Sequence, residues 1–284
     1  MVVRLILMRI AALIALTVLG SCRSEEEQPR FPDVHARLVL LDADPAVGSP
    51  LRVRLDLVND SDTPMLFDAQ QSEGNGSFEI LGPNEKTVPF IDGPRQTFGN
   101  YSDLAPRSSV TVIKELDLTA QYLISKPGRH AIRFQGWIRI VEKQRYEQSW
   151  KETEKDPGKA WSYRRFEATV GTPSNSVTVN VQPGPLPEKY VVAEKLMPAL
   201  PKEWEFAVNW VPPRTADPEY TLFPPARKKS DSVIVVRLSQ GPPLKNERRA
   251  GEWNGKNVYI RSSAADEKAW PDHDRRLVEI LNGR

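Results

Sequence analysis

The stretch LRVRLDLVN, residues 51–59, constrains the fold more than any other part of this chain. Leu51, Val53, Leu55 and Leu57 fall on one side of an extended backbone, and Arg52, Arg54 and Asp56 on the other. That period of two is the signature of a strand with one buried face. VHARLVLL lies upstream, and the turn formers NDSDTP follow directly. SFEI, GPNEK and TVPF then read as a strand, a turn and a returning strand. SVTVIKELDL, RHAIRFQGWIRI and SVTVNV add further strands, the last with Val177, Val179 and Val181 on one side. Short strands at regular spacing between turn signals predict an immunoglobulin-like β-sandwich over residues 34–182.

The chain cannot staple such a sandwich with disulfides. Its one cysteine, Cys22, stands at the end of an apolar run. Arg4 and Arg9 form a positive start, and Ile10 to Leu19 is apolar over ten residues, too short for a bilayer of about 30 Å. This is the pattern of an export signal. The order Leu19-Gly20-Ser21-Cys22 resembles the bacterial lipobox, in which signal peptidase II cuts before the cysteine and the thiol carries a diacylglycerol. The resemblance implies a signal peptide over residues 1–21 and a mature protein held to the membrane by lipid on Cys22. Acyl chains contribute about 0.8 kcal/mol per buried methylene, and more than one chain gives stable anchoring. Residues 22–33, charged and proline-containing, read as a tether. Arg23 follows the cysteine where enterobacterial lipoproteins retained at the inner membrane carry aspartate, so the outer membrane is favoured for a Gram-negative envelope. Setting aside Arg4 and Arg9 leaves 37 basic against 37 acidic residues, a balance with no nucleic-acid footprint.

Residues 104–134 carry a second resemblance. A Leu-Ala-Pro turn, a strand ending at Asp117-Leu118, Tyr122, then Pro127-Gly128 and a strand are similar to the β domain that precedes the catalytic domain in deuterolysin-like (aspzincin) metallopeptidases. Arg107 stands where that pattern has glycine. The likeness implies an Ig-like module that is not itself catalytic. It also keeps open a protease-associated module or a proteinase inhibitor as the alternative function.

A zinc peptidase needs histidines one helical turn apart, as in His-Glu-x-x-His. His35, His130 and His273 are each separated by more than ninety residues, so no metal, cofactor or catalytic residue is expected. His273, between Asp272 and Asp274, reads as a solvated helix start, with Asp272 or Ser263 as a cap. There is no Gly-x-Ser-x-Gly elbow. GEWNGK lacks the spacing and hydroxyl of a P-loop, and its Asn254-Gly255 fits a type I′ turn.

Residues 142–167 interrupt the strand pattern with 13 charged residues in 26, interspersed with aromatics that include Trp150, Trp161 and Tyr163. They read either as a solvated excursion, or longer strands joined at KDPGK, whose aromatics cap the sheet, or as a contact surface for a peptide, an envelope protein or a glycan. QPGPLPE marks a linker at 183–187 that keeps two units apart. Beyond it, residues 188–284 predict a small α+β domain. PEKYVVAEKLMPAL reads as a helix with Val192, Leu196 and Met197 inward, DSVIVVRLSQ as a central strand, and Trp270, Leu277, Ile280 and Leu281 as the apolar face of a last helix. The expected fold is mainly β plus α+β, and the expected protein is a non-catalytic, lipid-anchored binding or structural protein of the envelope.

Overall fold

The computed structural model describes residues 31–68, 77–92, 100–136, 138–156, 167–170, 174–208, 217–223, 233–262, 268 and 270–283. Cys22, Trp161, Tyr163 and the leader lie outside them, as does the candidate cap Ser263.

The fold is mainly β, and the described residues form four antiparallel sheets and a few short helices. β1 (Val34–Leu40), β2 (Arg52–Asn59), β3 (Met65–Asp68), β4 (Phe78–Leu81), β5 (Ser102–Leu104) and β6 (Ser108–Asp117) come first. A single helical turn, α1 (Leu118–Gln121), leads to β7 (Gly128–Phe134) and β8 (Ile138–Glu142). The helix α2 (Lys143–Lys155), β9 (Ala168–Val170) and β10 (Ser176–Val181) complete the first unit. One sheet has the order β1-β2-β6 and another β10-β7-β4. In chain order these two divide as the sheets of an immunoglobulin-type sandwich do. β3, β5, β8 and β9 split off into a third sheet of order β5-β3-β8-β9.

The alternation in β2 does what its spacing dictates: Val53, Leu55 and Leu57 are fully buried, in one core with Ile80, Ile132, Phe134, Val179 and Val181 from the opposite sheet. Asp56, on the other face, is held by Arg37, Arg54 and Thr111. Asn175 ties the two sheets together, accepting from the Leu38 N–H at 2.7 Å and donating to the Leu38 carbonyl at 2.9 Å. RHAIRFQGWIRI is two strands rather than one. At Gly136 a Cβ would meet the Phe134 ring at 2.6 Å, so only glycine lets the chain step from one sheet to the next there. Arg107 has φ 50°, a left-handed conformation that glycine adopts most readily, and its guanidinium forks onto Asp62. At the α1 corner the buried Tyr122 hydroxyl donates to the Phe78 carbonyl and accepts from its N–H.

The second unit comprises α3 (Glu188–Leu196), β11 (Glu205–Val208), β12 (Glu219–Phe223), β13 (Ile234–Ser239), β14 (Arg248–Trp253), β15 (Lys256–Arg261) and α4 (His273–Leu281). Its sheet has the order β11-β12-β13-β15-β14, with β13 at the centre. The β14–β15 turn has φ 52° at Asn254 and 73° at Gly255, as a type I′ turn requires. Ile234, Val236 and Leu238 face a core shared with Tyr190, Val192 and Leu196 of α3 and Leu277 and Leu281 of α4.

The proline stretch does not act as a spacer. Gln182 pairs with Ala46 in a parallel bridge, and a Cβ at Gly184 would fall 2.4 Å from the Val47 carbonyl. Prolines remove donors but do not prevent a chain from lying flat against a neighbour. The two units touch as well. Ile91 and Leu123, from the first, are buried in the core of the second. Phe31, within the expected tether, packs partly buried against the first core.

Candidate functional site

Two regions of the described structure offer chemistry to a ligand. The first is α2. Glu, Lys, Gln and Arg are strong helix formers, and 13 residues without glycine or proline make a helix where an excursion was expected. Its one buried residue is the small Ser149. Lys143 pairs with Asp103 at 2.6 Å, Arg145 with Glu142 at 2.8 Å, and Tyr146 packs on Tyr101 at 5.1 Å between ring centroids. Those contacts hold the first turn to the β5-β3-β8-β9 sheet. Trp150 lies beyond them and is 53% exposed, so it does not cap the sheet. Among the large apolar side chains of the described residues Leu41 and Leu186 are also exposed, each less than Trp150.

The second region is a cleft of about 320 Å³ between the units. One wall is the β4 turn and the strand remnant after it, with Gly82, Pro83 and Val88; the other is the end of α3, with Ala193 and Met197. The β4 turn closes by a hydrogen bond from Gly82 N–H to the Lys86 carbonyl at 2.7 Å. Leu123 and His130 line the interior, and Ser125, donating to Glu194 at 2.6 Å, bridges the units at the edge. His130 is 1% exposed. Burial pushes its imidazole below the usual range, outweighing the opposing effect of the Gly128 carbonyl on Nδ1. Nothing in the sequence marked this residue, because a histidine at an inward strand position looks the same whether or not it meets a cavity.

The histidines do not converge on a metal: among the described residues no group of three His, Cys, Asp or Glu could hold an ion. His35 is half-exposed on β1, 3.6 Å from Asp60. His273 does start α4, but it is buried rather than solvated, and Asp272, in the N-cap position, makes no side-chain capping bond because its backbone is left-handed. His273 Nε2 lies 2.9 Å from the Ser262 hydroxyl and 3.1 Å from Asp274. The trio has the residue types of a nucleophilic triad without its order. In a triad the carboxylate orients Nδ1 while Nε2 serves the serine. Here Nδ1 faces the Trp270 carbonyl at 2.9 Å, and Asp274 stands on the Nε2 side. Arg248 Nη2 donates to Ser262 at 2.7 Å and to Asp274 at 2.8 Å. The cluster pins α4 to β14 and β15.

No family model matches this chain, and no curated protein sequence matches it. Among solved structures, the sporulation control protein Spo0M of Bacillus subtilis aligns over 88% of this chain and 98% of its own, at 9% identity and a TM-score of 0.21. A likeness that low carries no argument.

Proposed function

We propose that this chain is an exported bacterial lipoprotein, anchored through Cys22, whose folded part binds a protein of the cell envelope and does not catalyse. The observation that carries the binding reading is Trp150: a large ring left 53% exposed on a charged helix whose other contacts are already made. Aromatic anchors of this kind dominate interfaces once a partner covers them. The leader supports the anchor, and Arg23 favours the outer membrane of a Gram-negative cell. A binding role also accords with the Ser262–His273–Asp274 cluster, whose carboxylate stands on the wrong ring nitrogen for a nucleophile.

Cells fed a clickable fatty acid should yield labelled protein in the membrane fraction, and Cys22→Ser should abolish both label and sedimentation. Persistence of both in the variant defeats the anchor. For the surface, a photo-crosslinking amino acid at position 150 should trap a discrete envelope protein. Trp150→Ala should weaken that complex by about 2 kcal/mol, roughly 30-fold. Folding stability should stay within about 0.5 kcal/mol. A clear loss of stability, or unchanged affinity, would refute the contact role.

A further inference from the structure

The cleft is lined by a hydrogen-bond acceptor that no described residue meets. The Gly128 carbonyl lies 3.0 Å from His130 Nδ1, and a carbonyl only accepts, so Nδ1 carries the ring proton. The neutral ring then has its lone pair on Nε2, and among the described residues nothing donates to it. That nitrogen opens on the cleft, where a bound donor can reach it.

Gly82 keeps the space beside that nitrogen open. A Cβ there would sit 3.5 Å from His130 Nε2 and 3.3 Å from a Val88 methyl. The backbone at Gly82 has φ −83° and ψ −169°, an extended conformation that any residue adopts. Its turn therefore does not require glycine. What the missing side chain provides is room at Nε2.

The remaining walls are mainly apolar, from Pro83, Val88, Leu123, Ala193 and Met197, with the polar Asn84, Thr87 and Ser125 toward the rim, and the volume of about 320 Å³ is in the range of small-molecule sites. Lys86, Lys126 and Glu194 lie at the exposed edge, so charges are met outside and not beside the ring.

We propose that this cleft binds a small, uncharged, largely apolar molecule whose single N–H or O–H donates to His130 Nε2. A planar heteroaromatic with one ring N–H meets each requirement: an apolar body for the walls, one donor for the nitrogen and no charge to desolvate. The site is formed by both units and is separate from α2, so it does not depend on the lipid anchor or the Trp150 surface.

The test uses indole and 1-methylindole, which share a shape and differ in the donor. The full chain is solubilised, the free probe concentration is set by equilibrium dialysis, and the imidazole nitrogens of His130 are followed by ¹⁵N NMR. Indole should bind saturably and move the Nε2 resonance while leaving Nδ1 in place. 1-Methylindole should bind about fivefold to tenfold more weakly, the worth of one hydrogen bond, and leave Nε2 unmoved. Gly82→Ala should weaken indole by a comparable factor with the melting temperature retained. Equal binding of the two probes, no saturable binding, or an Nε2 signal indifferent to indole overturns the proposal and leaves water as the nitrogen's only partner. Should Gly82→Ala fail to fold, the contrast between the two probes on the unaltered protein decides the matter alone.

Discussion

Glu247→Ala should lower the unfolding free energy by about 3–5 kcal/mol, the cost of leaving a buried charge without its partner. Arg237 lies mid-strand in β13, on the face turned away from α3 and α4. Its side chain and that of Glu247 are each 2% exposed. The carboxylate receives Arg237 Nη2 at 2.6 Å and Nε at 3.1 Å, and also the Leu244 N–H at 2.8 Å. The guanidinium is completed by the Pro242 carbonyl at 3.0 Å and the Tyr259 ring, 4.8 Å from its carbon. Without Glu247, the Pro242 carbonyl and the more exposed Asp217, 3.3 Å away, must hold the cation. Urea unfolding measures the loss. The pair Arg237→Met with Glu247→Leu should recover much of it, because two apolar side chains of similar volume carry no desolvation cost.

The same pair sets a pH dependence. Burial alone would raise the Glu247 carboxyl, but the hydrogen bonds from Arg237 and the Leu244 N–H outweigh it and hold the group below its usual value. A depressed carboxyl stabilises the fold fully above its unfolded value, about 4.3, and that contribution is lost as pH falls through the folded one. The acid limb of the stability curve should therefore flatten in Glu247→Ala. An unchanged limb would show that other carboxylates carry it.

Residues 186–284 expressed alone should show no cooperative unfolding transition. The proline stretch suggests a boundary there, yet the second core extends across it. Ile91, fully buried, and Leu123 pack into that core from the first unit. The segment holding Ile91 also runs along the sheet: Val208 N–H donates to the Ile91 carbonyl at 2.6 Å, and Asp92 bridges Val208 in parallel. It thus covers the edge strand β11, which the fragment would expose. At the start of α3, Lys189 and the Tyr190 hydroxyl both donate to the Thr119 carbonyl. In the full chain, Ile91→Ala should cost about 2–5 kcal/mol, and the loss should be read by faster hydrogen exchange of β12 and β13 amides, which belong to the other unit. A fragment that melts cooperatively near the temperature of the whole protein would sink the idea.

The sequence by itself determined the elements whose residues repeat against solvent. Alternation over residues 51–58 names the inward face of β2, Asn254-Gly255 names the β14–β15 turn, and the unbroken apolar run at 234–236 names the strand at the centre of the second sheet. Each is a local property, since period and turn conformation depend on neighbours within a few residues. The helix α2 was half-legible: its residue types favour a helix, but with only Ser149 buried it has no apolar stripe to announce itself. The rest only the tertiary structure decided. His130 meets Gly82 from 48 positions away, Arg237 finds its carboxylate beyond a loop, Ile91 reaches Val208 across the chain, and the proline stretch lies flat where a spacer was expected. A pattern along the chain records which face of an element leaves water. It does not record which distant group meets that face, because a contact of long range leaves no period in either segment that makes it.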